Sequence, residues 1–318
     1  MAVADEAAAA EAVADGAPGS RRDLPALHGI VPILLTPFDE QGRIDDESLR
    51  RLVDFTIRAG VHGLGIALGS EVYKLTEPER DTVLRTVVDE ARGRVPVMMN
   101  TGTQATDTAV SYSMRAQDLG ADAVICTSPG PAPAAEVGHY FSSIAQRVDV
   151  PVIIQDTATN HVPPALIRSL GEESANIRYA KVESAPAVLR VYEAVQACGP
   201  SMGIFGGAGG GGFLQELRRG SVGTMPWASI PGPFVEIWRR WHLDDVDGAG
   251  QIFDTQLAPV LRIATGSLGA GHLLHKELLR RQGVIASAHV RRPAEQLDPV
   301  TWAELDEVCA ALGLGAHA

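Results

Sequence analysis

The chain has 318 residues, 45% of them hydrophobic and 21% charged, which suffices for one large domain or two ordinary ones. A formal net charge of -12 argues against nucleic acid and anionic membrane surfaces as partners. No apolar run approaches the roughly 18 residues that a membrane span needs, so no membrane segment is predicted.

The amino-terminal segment has the composition of a disordered leader. Residues 1–23 carry acids where a secretory signal needs basic residues, and alanine where it needs a strongly apolar core. The three cysteines have no short metal-binding spacing and suggest no disulfide framework. A cytoplasmic location is therefore expected.

Short apolar runs alternate with stretches of helical period from about residue 28. Eight such runs, each leading into a helix, predict a (β/α)8 TIM barrel, because continuous apolar strands must be covered on both faces. An open doubly wound sheet is the alternative. The runs are GIVPILLTPF, GLGIALG, VPVMMNTG, DAVICTSP, PVIIQD, IRYAKVES, MGIFGGA and SVGTMPW. Several predicted helices end in a glycine cap, at Gly60, Gly93, Gly120, Gly199 and Gly220.

After Pro231 the strand-like runs stop and the remainder is helical in pattern. The stretch PFVEIWRRWHL is predicted to be the eighth barrel helix. The barrel is accordingly assigned to residues 24–245, and residues 246–318 are predicted to form a C-terminal helical bundle packed on it.

Of the 27 basic residues, 24 are Arg and only three are Lys. Arg cannot lose its proton in a protein, whereas a desolvated Lys can, so chemistry that needs a free amine requires Lys. Lys74 is predicted to lie in a solvated loop and Lys276 on a charged helix face. His272 and His275 are likewise interpreted as a helix surface.

The third lysine, Lys181, ends the sixth predicted strand, where the catalytic groups of such barrels project. Lys181 and Glu183 share a strand face, because alternate residues point the same way. An enclosed amine beside a carboxylate would serve imine formation followed by proton transfer. The alternative is that Lys181 extends from the strand edge into water and pairs with Glu183.

The chain resembles the dihydrodipicolinate synthase and N-acetylneuraminate lyase family of class I, Schiff-base barrels over nearly everything after the leader. The resemblance is carried by GIVPILLTPFDEQGRID, GSEVYKLTEPER, PVIIQD, YAKVES and ELRRGSVGTMP. Within that family the SE before TEPER, the fifth-strand QD, the sixth-strand KVE and the tail QGVIAS are most similar to the L-2-keto-3-deoxyarabonate (2-keto-3-deoxypentonate) dehydratases. The resemblance implies that Lys181 forms an imine with a 2-keto acid and that no cofactor takes part.

Departures from the aldolase pattern of the family favour dehydration. Gln155 and Asp156 stand where aldolases carry the Tyr of a YNVP motif, and ALGSE replaces the G-T-T-G-E loop. Without the phenol relay that assists carbon–carbon cleavage, Glu183 is expected to act as general acid and base at C3 and at the departing C4 hydroxyl. A pyruvate-dependent aldolase or lyase, and a catalytically silent keto-acid-binding barrel, are the alternatives.

Further residues are candidates for binding the substrate. Thr36 and Ser70 would hold its carboxylate or, equally, serve as turn and cap residues. Glu71 would contact the substrate or close the turn after the second strand.

Two more pairs lie at strand ends. Gln155 and Asp156 would bind sugar hydroxyls, although one of them is expected to face the helices, since strand neighbours diverge. Gly206 and Gly207 would let the substrate approach the backbone; their G-x-G-x-x-G match lacks the rest of a nucleotide-binding unit. No metal site is predicted, because the histidines have no metal-like spacing with carboxylates. The expected partners are a small 2-keto acid and further copies of the chain, in a dimer or tetramer.

Overall fold

The computed structural model describes residues 26–264 and 268–314, so the predicted leader at 1–23 lies outside the described residues. Each of the eight apolar runs contains one strand. The strands are β1 (Gly29–Ile30), β2 (Leu64–Ile66), β3 (Val97–Asn100), β4 (Ala123–Thr127), β5 (Val152–Asp156), β6 (Ile177–Val182), β7 (Gly203–Gly206) and β8 (Gly223–Thr224).

A helix follows each strand, as the alternation of patterns predicts. These helices are α1 (Asp46–Arg58), α2 (Glu77–Ala91), α3 (Thr106–Asp118), α4 (Ala134–Ala145), α5 (Pro164–Glu173), α6 (Ala187–Cys198), α7 (Phe213–Leu217) and α8 (Pro231–Trp241). The remaining helical segments are α9 (Val246–Ile252), a π-helical turn (Phe253–Leu257), α10 (Ala258–Ile263), α11 (Leu268–Arg281) and α12 (Pro299–Leu312). None of the helices in the described ranges is long and apolar enough to cross a membrane.

The chain divides into two compact units, and the first holds residues 26–31 and 96–226. It contains β1 and β3 to β8, which form a parallel sheet in the order β1-β8-β7-β6-β5-β4-β3. All five residues of β5 are buried, as its continuous apolar run predicts for a strand covered on both faces. The register places Thr127, Gln155 and Lys181 side by side across β4, β5 and β6.

The second unit holds residues 32–95 and 227–314. It contains β2, α1, α2 and the helices from α8 onward, and Ile33 forms bridges to Gly65 and to Trp227. Helix α1 begins after Asp45, whose side chain accepts from the Ser48 amide at 3.0 Å, as an N-cap should. The predicted C-terminal bundle at 246–318 is helical over much of its described length; its packing as a separate extension stays a prediction.

Candidate active site

The end of β6 carries an enclosed pair of amine and carboxylate. Lys181 is 4% exposed, and its Nζ lies 3.0 Å from Oε2 of Glu183. Between them Val182 points to the opposite face of the strand and is buried. The alternative in which the Lys181 side chain extends into water is therefore wrong, because the amine is buried beside the carboxylate.

Glu183 is held by hydrogen-bond donors on both oxygens. Gln155 donates from Nε2 to Oε2 at 2.7 Å, and the Ala208 amide donates to Oε1 at 2.8 Å. Together with Lys181 these partners are all donors, and an ionised carboxylate is the form that accepts from all three. The geometry thus holds Glu183 as a base directed at the lysine.

A row of polar side chains fixes the orientation of Gln155. Its Oε1 accepts from Thr127 Oγ1 and from Asn100 Nδ2, each at 3.3 Å, which leaves Nε2 to face Glu183. Sequence reasoning assigned no role to Asn100 or Thr127, although both end strands and so carry the positional signal of a barrel site. The row extends across β3, β4, β5 and β6.

Asp156 turns to the other face of β5, which confirms that the two strand neighbours diverge. Its Oδ1 accepts from the Val162 amide at 2.8 Å and lies 2.9 Å from His161 Nδ1, while Oδ2 accepts from the Ser184 hydroxyl. The carboxylate therefore ties together the loops that follow β5 and β6. Its predicted contact with a substrate hydroxyl finds no support in this orientation.

The two glycines after β7 are each pressed against a carboxyl group. A Cβ on Gly207 would lie 2.5 Å from Oε1 of Glu183, and one on Gly206 would lie 1.8 Å from Oε2 of Glu216. Side chains are excluded at both positions by these contacts. Glu216 is fully buried. It begins the segment ELRRGSVGTMP, which carries part of the family resemblance, but the sequence pattern suggested no role for it. Burial, followed by the charge of Glu183, raises its pKa to about 7.

In the second unit, Thr36 and Ser70 are bonded to each other and to the backbone. The Thr36 hydroxyl donates to the Ser70 carbonyl at 2.6 Å. The Ser70 hydroxyl accepts from the Ala67 amide at 3.1 Å and donates to the Leu34 carbonyl. This geometry supports the structural alternative, in which both residues shape the turn after β2; binding a carboxylate through them would require these bonds to break.

Glu71 has both carboxylate oxygens occupied by lysines. Oε1 lies 2.5 Å from Lys276 Nζ and Oε2 lies 2.9 Å from Lys74 Nζ, and the side chain is fully buried. Burial alone would raise the pKa of Glu71, but the charge of Lys276 and the hydrogen bonds from both lysines hold it below its ordinary value. Glu71 therefore closes the turn as the centre of a buried ion cluster, and its carboxylate is committed there.

The predictions for Lys74, Lys276 and the two histidines of α11 are wrong. Lys276 is fully buried, with its Nζ 4.3 Å from the Phe38 ring centroid, and the Lys74 side chain is only 9% exposed. His272 and His275 are also buried. In α11 the exposed Arg280 and its neighbour Arg281 pair with Glu277. The sequence pattern did not show that Lys276 meets a distant glutamate.

Comparison with known proteins gives the same family throughout. Residues 26–312 match the Dihydrodipicolinate synthetase family. The chain is 32% identical over 294 residues to L-2-keto-3-deoxyarabonate dehydratase of Azospirillum brasilense, covering 88% of this chain and 93% of that protein. It is 31% identical over 247 residues to 4-hydroxy-tetrahydrodipicolinate synthase of Salinibacter ruber, covering 74% and 80%.

A solved structure shows the same fold. YagE, a prophage protein of the dihydrodipicolinic acid synthase family from E. coli K12 in complex with pyruvate, is 26% identical with a TM-score of 0.84, covering 90% of this chain and 99% of that chain. Eight parallel strands with helices between them match the TIM-barrel fold of this family, as predicted. The chain therefore belongs to the dihydrodipicolinate synthetase family and is a class I, Schiff-base lyase.

Proposed function

We propose that this lyase dehydrates a 2-keto-3-deoxy sugar acid of the pentonate type, with Lys181 as the imine-forming residue and Glu183 as the general acid and base. The observation that carries the proposal is the buried contact of 3.0 Å between Lys181 Nζ and the Glu183 carboxylate. The similarity to a 2-keto-3-deoxyarabonate dehydratase over 88% of the chain supports the substrate class.

The first chemical step joins Lys181 to the ketone carbon. After its ammonium passes a proton to Glu183, the amine adds to C2 of the keto acid; Glu183 then returns the proton to the former ketone oxygen, which leaves as water, and a protonated C=N bond remains. The positive nitrogen acidifies the C3 hydrogens. A Glu183 carboxylate, ionised again, is then positioned to remove one of them and leave an enamine.

The second step expels the hydroxyl group at C4. The enamine electrons form the C3–C4 double bond, the C4–O bond breaks, and Glu183 returns its proton to the leaving oxygen, which departs as water. Hydrolysis of the imine frees Lys181. Glu183 thus begins and ends the cycle as a carboxylate, the form that Gln155 and the Ala208 amide hold.

The buried phenols of the first unit favour dehydration over carbon–carbon cleavage. Tyr140 accepts from the Thr103 amide at 3.1 Å, and Tyr179 accepts from the Leu27 amide at 3.0 Å. Burial raises the pKa of both phenols. Neither tyrosine occupies the fifth-strand position of the aldolase relay, where Gln155 is directed at Glu183 instead.

Reductive trapping tests the covalent step. Borohydride with pyruvate is expected to convert Lys181 irreversibly into a secondary amine, detected by peptide mass mapping, and Lys181→Ala is expected to give no adduct. Arg85→Ala, which removes an exposed cation from α2, is the control and should retain the adduct. A wild-type protein that forms no adduct would overturn the proposal.

Product analysis separates dehydration from cleavage. With 2-keto-3-deoxypentonate, dehydration and tautomerisation give 2-oxoglutarate semialdehyde, whereas retro-aldol cleavage gives pyruvate and glycolaldehyde. We expect the semialdehyde. Pyruvate and glycolaldehyde as the products would show an aldolase that uses the same lysine.

A further inference from the structure

Glu216 is a buried carboxyl group that the proposed mechanism does not use. It lies in α7, is fully buried, and neither of its oxygens has a hydrogen-bond partner among the described residues. Burying a carboxylate without a cation or donor is costly, whereas the neutral acid is tolerated far better. The environment of Glu216 thus favours the protonated form.

Glu216 and Glu183 lie on opposite sides of one strand end. Because Gly206 has no side chain, the Glu216 carboxyl fits beside it. Because Gly207 has none, Glu183 fits beside that residue. Successive residues of an extended strand point to opposite faces, so the backbone at these two glycines separates the carboxyl groups. Glu183 faces Lys181, and Glu216 lies behind the strand.

Among the residues around Glu216, the charged group that affects its pKa is Glu183. From β8, Thr224 is paired in register with Gly206 and so shares its face, and its hydroxyl is buried without a partner. The loop before α7 contributes Gly212, whose Cβ position would be 2.8 Å from Glu216 Oε1. No ammonium or guanidinium is therefore supplied by these neighbours in the described structure.

The basic residues nearest in sequence and in the adjoining helix are directed elsewhere. Arg218 and Arg219, which follow α7, are exposed. In α6, whose Val188 approaches Gly212, Arg190 pairs with Glu193 at 2.7 Å. A negative charge on Glu216 would consequently be felt mainly by the groups across the strand end.

We infer that Glu216 is a positioning residue of the Schiff-base site: as a neutral acid it adds no second negative charge across the strand end from Glu183, and its ionisation slows attack by Lys181. The inference rests on the proposed function of Lys181 and Glu183. A second negative charge nearby stabilises the ammonium form of Lys181 and so reduces the fraction of free amine that can add to a ketone. Glu216 acts through these groups and touches no reacting atom.

The rate of imine formation as a function of pH tests this role. Full-length protein is mixed with pyruvate, quenched with borohydride at timed intervals, and the adduct on Lys181 is counted between about pH 5.5 and 9. Wild type and Glu216→Gln should coincide below about pH 7 and diverge above it, with the variant faster by about threefold or more. Glu136→Gln, a change at an exposed position of α4, should follow the wild-type curve.

The outcomes distinguish the two proposals. Curves of wild type and Glu216→Gln that superimpose over the whole range, with adduct formed in both, overturn the role of Glu216 alone. Absence of any adduct at every pH overturns the Schiff-base assignment to Lys181 and with it this inference.

A second measurement needs no folded variant. The infrared carbonyl band of a protonated carboxylic acid should be present in wild type at acidic pH and disappear with a midpoint near pH 7. If no such band is present near pH 5.5, the neutral acid is not there, and if the band persists unchanged to about pH 9, the acid does not ionise in this range; either result overturns the inference.

Discussion

At the scale of single residues, the scarcity of lysine has a structural reason. Lys181 is buried beside Glu183 and Lys276 beside Glu71, and the half-buried Lys74 also pairs with Glu71. An ammonium is a compact charge with three donors and fits a small enclosed space that a planar guanidinium would not. Each lysine of the chain therefore marks an ion pair with a buried or largely buried carboxylate.

Replacing Glu183 by Gln should separate imine formation from proton transfer. The amide has the size of the carboxylate but cannot accept a proton at neutral pH. Trapping with pyruvate should become slower, because Lys181 loses its proton acceptor, but should still go to completion, whereas exchange of the pyruvate methyl hydrogens into heavy water should slow by about 10²- to 10⁴-fold. Proton NMR follows this exchange. An exchange rate equal to that of wild type would remove the acid and base role.

Replacing Lys276 by Met should be strongly destabilising. It leaves the buried carboxylate of Glu71 with Lys74 as its remaining ammonium, and breaking a buried pair in this way costs about 3–5 kcal/mol of unfolding free energy. Guanidinium unfolding measures the loss. Arg280→Met, at an exposed position of the same helix, is the control and should cost under about 1 kcal/mol. Equal losses in the two variants would contradict the importance of the buried cluster.

At the scale of elements, the loop from β7 to α7 is shaped by two carboxyl groups and the absence of two side chains. Gly206→Ala should destabilise the fold by about 1–3 kcal/mol, because the new methyl group would overlap the Glu216 carboxyl. Removing that carboxyl in Gly206→Ala/Glu216→Ala should recover part of the loss. A double-mutant cycle of unfolding free energies checks this, and strict additivity would mean that the two positions do not interact.

Local sequence patterns predicted the helices and strands well. Contacts between residues far apart in the sequence, which determine much of the site, could not be predicted from them. All five glycines expected to end helices have positive φ, from 59° at Gly199 to 95° at Gly120, because this steric preference is set within one turn. The pairing of Lys181 with Glu183 follows from strand alternation. By contrast, the burial of Lys276 depends on Glu71, 205 positions away, and no local pattern reveals such a partner.

The candidate site shows the same division. Gln155 was expected at a strand end, but its contact with Glu183 depends on the register of β5 against β6. The place of Glu216 depends on the missing side chain of Gly206. Sequence alone therefore located the strand ends and the amine, while the hydrogen-bonded row and the second carboxyl required the packed structure.

At the scale of the whole molecule, some groups with shifted pKa values lower the free energy of unfolding as pH falls, whereas another lowers it as pH rises. The Arg291 guanidinium lowers the pKa of Glu79 to about 2, so this carboxylate stabilises the fold above its ordinary pKa and ceases to do so in acid. Burial lowers the pKa of His275 to about 3. Below about pH 6.5 the imidazole of the unfolded chain takes up a proton that the buried imidazole does not, so the unfolded state is favoured there. Both groups make the protein less stable in acid.

Glu216 acts with the opposite sign. Its folded pKa of about 7 exceeds the ordinary value of 4.5, so the folded state retains a proton that the unfolded chain has lost. Its contribution to stability is present below about pH 4.5, declines as pH rises, and is lost above about pH 7, a change on the order of 3 kcal/mol. Wild type and Glu216→Gln share every other titrating group, so the difference between their stabilities isolates this one.

The free energy of unfolding of the two proteins should therefore separate as pH rises from about 5 to 7.5, with Glu216→Gln gaining relative to wild type and the gain levelling off near the top of the range. Staying below about pH 8 avoids the titration of Lys276, whose pKa burial lowers to about 8. Denaturant unfolding at each pH provides the measurement, with Glu136→Gln as an exposed control. A difference between wild type and Glu216→Gln that does not vary with pH would mean that Glu216 is already ionised in the folded protein, since only a group that changes its protonation on unfolding makes stability depend on pH.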